Sequence, residues 1–365
     1  MDFGLSEEQE LIRDSFRGTL SRVSELDNVR RTAEAGAAMD ENIWAELCGL
    51  GMAGLLIGED YGGAQLNLLD AAVVAEELGR RVTPVPFVAS AVMAPLAISL
   101  GGDEEQRRAW LPGMAEGSLR LGVAVSETAA GAREDAGVTA GNKGNDSVLN
   151  GRALFVLDGA GAQGHVVADN KGGLHLVRVD ADGLETIGLK TIDRTRAICE
   201  LCFADTPAEP LRQGEGVLQT IIDAGRVILA ADSLGAGEAM LQQAVDYAAE
   251  RKQFGRPIAS FQAVKHMCAE MAAELQPCRA LVWHGAYTLE HDSGGFSLAA
   301  AFAKSHMDEV GRFVARTATE VHGGMGFTDL MGLHYWFKRL GVNRAYLGSP
   351  ERVRAEAARL QGFAA

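Results

Sequence analysis

Arg251, Phe254 and Gln262 are the residues whose types and spacing best suit chemistry on a ligand. They stand where one helical pattern, carried by Ile228, Leu234, Leu241, Val245 and Ala248, runs into Gly255 and Pro257 and a second begins at Ile258. At that joint a guanidinium offers charge to a phosphate, a ring offers a stacking face, and an amide can reach a hydroxyl or a base edge. The set would suit a nucleotide-bearing cofactor. Pattern alone favours a plainer account, in which Arg251, Lys252 and Gly255 form a basic helix end with a glycine stop and Phe254 tucks into the core.

Two other constellations are weaker. The glycines of Glu320-Val-His-Gly323-Gly324-Met-Gly326 follow a helical pattern and not a strand, which excludes a Rossmann dinucleotide turn. Cys199 and Cys202 form a lone C-x-x-C in a predicted strand, where positions three apart point to opposite faces, and no second ligand pair accompanies them. No metal is expected.

Resemblance decides the first case. The stretch AAERKQFGRPIASFQAVKHMCAEM resembles the signature of the acyl-CoA dehydrogenase family, Arg-x-x-Phe-Gly followed eight residues after the Phe by Gln. Glu320 to Phe327 is similar to the family's Gln-x-x-Gly-Gly-x-Gly-Phe, with Glu320 in place of the Gln; a carboxylate accepts hydrogen bonds there but cannot donate one. Val123 to Gly131 resembles the start of the family's V-T-E-P-x-x-G-S-D, with Ser126 keeping the hydroxyl and Ala132 replacing the later Ser, a contact for the thioester's nucleotide tail. Phe155 occupies the Trp of a Trp-Ile-Thr segment, and Leu157 cannot supply the hydroxyl of its Thr.

The resemblance covers nearly the whole chain and implies an FAD-dependent α,β-dehydrogenation of an acyl-CoA thioester. By it, Arg251, Phe254, Gln262, Glu320, Gly323 and Gly324 serve the adenosine side of FAD, the first three in a neighbouring subunit's site. Val125, Ser126 and Phe155 lie at the flavin ring, and Arg226 at the substrate. The family's base is a Glu in Tyr-Glu-Gly-Thr; here that stretch is Tyr346-Leu347-Gly348-Ser349. Members that carry the base just before the central Arg would place it at Gly225. Both usual positions lack a carboxylate, so the catalytic base is left unassigned. Asp223 is two residues from Gly225 and turned about 200° away around a helix, and Glu351 is explained by a helix N-terminus.

These residues need helices on either side of a β segment. Ser6 with Gln9 reads as a capping box ahead of Leu11, Ile12, Phe16, Leu20 and Val23, and further helical patterns run 42–49, 68–78, 89–100 and 104–114. Short apolar runs at 121–125, 147–150, 154–157, 165–168, 174–178 and 200–203, bounded by Gly, Asn and Asp, read as strands. Helical periodicity returns from Val217, with a kink or break at Pro277 and a last pattern over 333–359. The expected architecture is α+β and acyl-CoA dehydrogenase-like, with an N-terminal helical domain (1–118), a middle β domain (119–216) and a C-terminal four-helix domain (217–365).

Net charge −15 argues against nucleic acid and anionic membrane surfaces, which need a basic face. The first residues lack the basic segment and apolar run of a signal peptide, and the five scattered cysteines fit a reducing, cytoplasmic setting. Divergent family subunits lacking the base pair with a second dehydrogenase-like chain in steroid side-chain and dicarboxylic acid degradation, and HYWFKRLGVNRAYLG is similar to their ending. The resemblance therefore implies an oligomeric flavoprotein oxidoreductase, a tetramer by the family, more readily one subunit of a heteromer than a homomer, passing electrons to an electron-transfer flavoprotein. Two alternatives remain: a silent partner completing another chain's flavin site, and a flavin oxidase or monooxygenase on the same fold.

Overall fold

The computed structural model describes residues 4–363 apart from Ala132, Asn145, Gln213 and Glu215. Ser6 caps the first helix as its sequence requires: its Oγ accepts from Gln9 N, and Gln9 Oε1 accepts from Ser6 N. That helix, α1 (Glu7–Val23), is followed by α2 (Leu26–Ala35), α3 (Glu41–Cys48) and α4 (Leu68–Arg80). A π-helical turn, Phe87–Met93, leads into α5 (Ala94–Gly101) and α6 (Glu104–Ala115).

The middle segment holds β1 (Leu121–Ala124), the short α7 (Ser126–Ala130), β2 (Gly137–Lys143), β3 (Asp146–Val156), β4 (Gly164–Ala168), β5 (Leu174–Arg178), β6 (Leu184–Gly188), β7 (Cys199–Pro207) and β8 (Glu209–Pro210). They form two four-stranded sheets, ordered β1-β4-β5-β8 and β2-β3-β7-β6. The runs predicted at 147–150 and 154–157 are one bulged strand, β3, whose register against β7 shifts twice. The strands of these sheets that no apolar run announced, β2, β6 and the two-residue β8, are sheet edges with mostly exposed residues, so their pairing needs no hydrophobic alternation.

The last segment begins with the 34-residue α8 (Val217–Glu250). A two-stranded turn of β9 (Lys252–Gln253) and β10 (Arg256–Pro257) returns the chain into α9 (Gln262–His291), and α10 (Phe296–His322), α11 (Leu333–Ala345) and α12 (Pro350–Leu360) complete it. One expectation is corrected. Helix α9 is not broken at Pro277; that ring and Ala273, whose carbonyl loses its partner, both lie on the exposed side where water can serve it. The last pattern, 333–359, holds the helix start expected at Glu351: it is two helices, parted at Tyr346–Ser349 by the positive φ of Leu347 (55°) and Gly348 (106°).

One core runs through all three segments, and the middle segment has a second of its own between its two sheets. Helices α4 and α8 touch backbone to backbone, because a Cβ on Gly235 would stand 1.8 Å from Glu76 O and one on Gly79 1.9 Å from Asp232 O. Gly235→Ala is expected to destabilise the fold by at least about 1–3 kcal/mol, the scale of core overpacking, since a backbone carbonyl cannot rotate aside. An unchanged denaturation midpoint would refute that contact. Next to it, buried Arg339 of α11 donates to Asp193 and Thr195 before β7, to Asp232 of α8 and to the carbonyl of Thr83 after α4. One side chain thereby fixes the sheet segment and both helical segments.

Candidate active site and cofactor surfaces

The sequence-predicted residues gather at the two ends of α8. At its C-terminal end lie Arg251, Phe254 and, across the β9–β10 turn, Gln262 at the start of α9. Tyr247 of α8 stacks on His322 of α10 at 4.6 Å, which brings Glu320, Gly323 and Gly324 to the same end. Arg251 and Glu320 are exposed, and Phe254 is 92% exposed, so the ring is not tucked into the core. Arg256 covers the neighbouring Phe261 ring at 4.2 Å, and Phe261 meets Phe254 edge-on at 6.0 Å. A Cβ built on Gly323 or Gly324 meets no heavy atom within 4 Å. Open backbone at the same end as an exposed arginine and an uncovered ring fits the adenosine and phosphate half of a dinucleotide.

At the other end lie Gly225 and Arg226. A Cβ on Gly348 would come 3.2 Å from Ala129 O in α7 and 3.6 Å from Arg226 Nη2. Arg352 of α12 donates to Ala129 O at 3.0 Å, so α7, α12 and the 346–349 loop close together. Helix α7 carries Ser126, whose Oγ donates to Phe155 O at 3.0 Å, and Glu127, whose Oε1 accepts from Leu154 N at 3.0 Å. These bonds fasten the second bulge of β3, where Phe155 holds φ 51° and keeps its ring 39% exposed, while Val125 is buried. The base family's nucleotide-tail position, Ala132, lies outside the described residues.

The space beside Gly225 is filled by hydrocarbon and sulfur. A Cβ there would stand 2.6 Å from Leu347 Cδ1 and 2.7 Å from Met93 Sδ. Both side chains are buried. Arg226 is committed within the chain: Nε donates to Leu347 O at 2.9 Å, Nη1 to Asp223 at 3.0 Å, and Nη2 to Glu356 at 2.8 Å. Asp223 also accepts from Ser297 and Gln219, and burial pushes its carboxyl up against the pull of Arg226. Glu351 pairs with Arg344 at 3.0 Å. Hydrogen bonding at the α12 N-terminus, from its own N–H and then Ser349, holds it down at about 2. A carboxyl that acidic is a weak base.

Sequence reasoning missed Met93, which fills the space beside Gly225, and Glu356 and Arg352, which lock α12 onto Arg226 and α7. Nothing local marks them, because each partner is distant in sequence. Cys199 and Cys202 are free thiols, Cys199 buried and pushed up to about 12 by burial, and no metal-binding cluster is present among the described residues. No described helix is long and apolar enough to cross a membrane.

Family models for the acyl-CoA dehydrogenase N-terminal domain and C-terminal domain match residues 6–118 and 212–360. The chain is 30% identical to the acyl-CoA dehydrogenase IpdE2 of Mycobacterium tuberculosis over 95% of both chains. The chain belongs to the acyl-CoA dehydrogenase family. Its members are FAD flavoproteins and oxidoreductases. Among solved structures, the Tcur3481-Tcur3483 steroid ACAD is 32% identical, with TM-score 0.89 and 98% of each chain covered. The ChsE4-ChsE5 complex of Mycobacterium tuberculosis shares the fold at TM-score 0.93, covering 100% of each chain at 24% identity.

Proposed function

We propose that the chain takes part in α,β-dehydrogenation of an acyl-CoA thioester as one subunit of a heteromeric enzyme whose partner chain supplies the carboxylate base. The observation that carries this is the closed Gly225–Leu347–Met93 junction: both base positions lack an acid and the space they would share is filled. When bound, FAD supplies the acceptor for the hydride that leaves the substrate's second carbon. The two-chain Tcur3481-Tcur3483 steroid ACAD supports both the pairing and a polycyclic acyl chain for the substrate.

The ends of α8 support the division of labour. From Arg226 to Glu250 the helix rises roughly 35 Å, farther than one dinucleotide reaches, so Phe155 and Arg251 of one chain serve different cofactors. Val125, Ser126 and Phe155 bound a flavin ring in this chain's own site, and Arg251, Phe254, Gln262, Glu320, Gly323 and Gly324 reach the adenosine half in a neighbour's. Their exposure also favours a second reading, a silent partner whose main task is to complete that neighbour's site. An electron-transfer flavoprotein is the proposed electron acceptor.

FAD is therefore expected to sediment with an oligomer, and a stable monomer retaining FAD would contradict the proposal. Arg251→Ala should weaken FAD by roughly 1.5–3 kcal/mol, the scale of a charge-assisted phosphate contact. Flavin content under limiting FAD checks it, and an unchanged value would remove Arg251 from the site.

A further inference from the structure

Phe155 is a bulky residue held at φ 51°, a backbone conformation that costs energy in a non-glycine residue and persists only where the surroundings enforce it. The enforcing contacts are Ser126 Oγ on its carbonyl and Glu127 on the preceding N–H. The chain thus pays strain to display one ring at a bulge, and it places the Arg133 guanidinium over that ring, 4.9 Å from the centroid. In the motif that Val123 to Gly131 resembles, Gly is followed by Ser and Asp; the second of those positions is Arg133 here, a reversal of charge.

We propose that Arg133, positioned by the Phe155 ring, lies against the flavin ring system in this chain's own site and favours its reduced form. The proposal rests on the reading that Val125, Ser126 and Phe155 bound a flavin. A hydride brings two electrons and one proton, so it adds one negative charge to its acceptor. A guanidinium cannot lose its proton at working pH and offsets that charge, while an acid at the same place would oppose it. The exposed flank of Phe155 keeps the cation partly hydrated, so its effect is modest and falls with salt.

The test is an equilibrium reductive titration against a reference dye of known potential, on the FAD-loaded assembly with its partner chain where loading needs it. Arg133→Ala should lower the ratio of reduced to oxidised flavin about tenfold at fixed potential, which is about 30 mV for a two-electron couple. Arg133→Lys should restore most of it, and Arg133→Asp should exceed the Ala effect. A purely structural role for Arg133 would instead alter FAD retention equally in the Ala and Lys variants at unchanged potential, which would overturn the proposal. Bound flavin whose potential ignores all three substitutions would overturn it too, leaving the flavin-site reading intact. If Phe155→Ala and Ser126→Ala change neither flavin content nor spectrum, that reading fails and the proposal with it.

Discussion

Mixed with a straight-chain acyl-CoA, the FAD-loaded oligomer of this chain alone should bleach its flavin on the order of 10² to 10⁴ times more slowly than the assembly that includes its partner, the usual worth of a general base. Stopped-flow absorbance measures it. The reason is local. Leu347 carries no acid, Gly225 has no side chain, and Leu347 Cδ1 and Met93 Sδ occupy the space a carboxylate would need. The nearby carboxylates do not replace it: Asp223 is enclosed by Arg226, Ser297 and Gln219, and Glu351 is held too acidic at a helix N-terminus. Asp223→Asn and Glu351→Gln in the full assembly should therefore change turnover by less than about tenfold, well short of a base's effect. Fast bleaching by this chain alone would show that it owns a base, and a collapse in either variant would name it.

The fold was legible in sequence wherever burial imposes a period. Helix α10 read from its apolar spacing and the α1 cap from two residues three apart, whereas α8 is buried all round over 221–237 and Val245 of its expected apolar face is exposed. Edge strands β2 and β6 escaped because an exposed strand needs no apolar alternation, and the left-handed backbone of Leu347 escaped because leucine, unlike glycine, does not announce a positive φ. The residues at each end of α8 were legible as types through resemblance. The resemblance also implied that Arg251, Phe254 and Gln262 serve a neighbouring subunit; what it did not place is Glu320, Gly323 and Gly324 at that same end of α8, which depends on the packing of Tyr247 against His322. The closure beside Gly225 is the extreme case: Met93 and Leu347 are 254 positions apart, a separation read from their numbers, and only the packed core joins them.

The same core predicts an unusual response to pH. Glu76 of α4 is 6% exposed, accepts from Trp283 Nε1 at 2.7 Å, and has Arg279 Nη2 at 3.7 Å. That arginine is shared with Glu238, which also takes Arg80, while Glu77 takes Arg17 and stands 3.6 Å from Arg80. Three carboxylates thus draw on three guanidinium groups, and Glu76 has the poorest share. Burial pushes its carboxyl up to about 7, against the pull of Arg279 and Trp283 and with the help of Glu238 and Glu77. Because the folded value is the higher one, the folded state holds a proton that the unfolded chain releases above about 4.5. The associated stability is fully present below that pH and is lost as pH rises through about 7, by about 3 kcal/mol. Glu76→Gln keeps an acceptor for Trp283 but cannot ionise, so it should gain on the natural protein between pH 5 and pH 8 by most of that amount. Urea midpoints of both proteins at the two pH values test it, and a stability difference that does not change with pH would show that Glu76 is charged in the fold at pH 5.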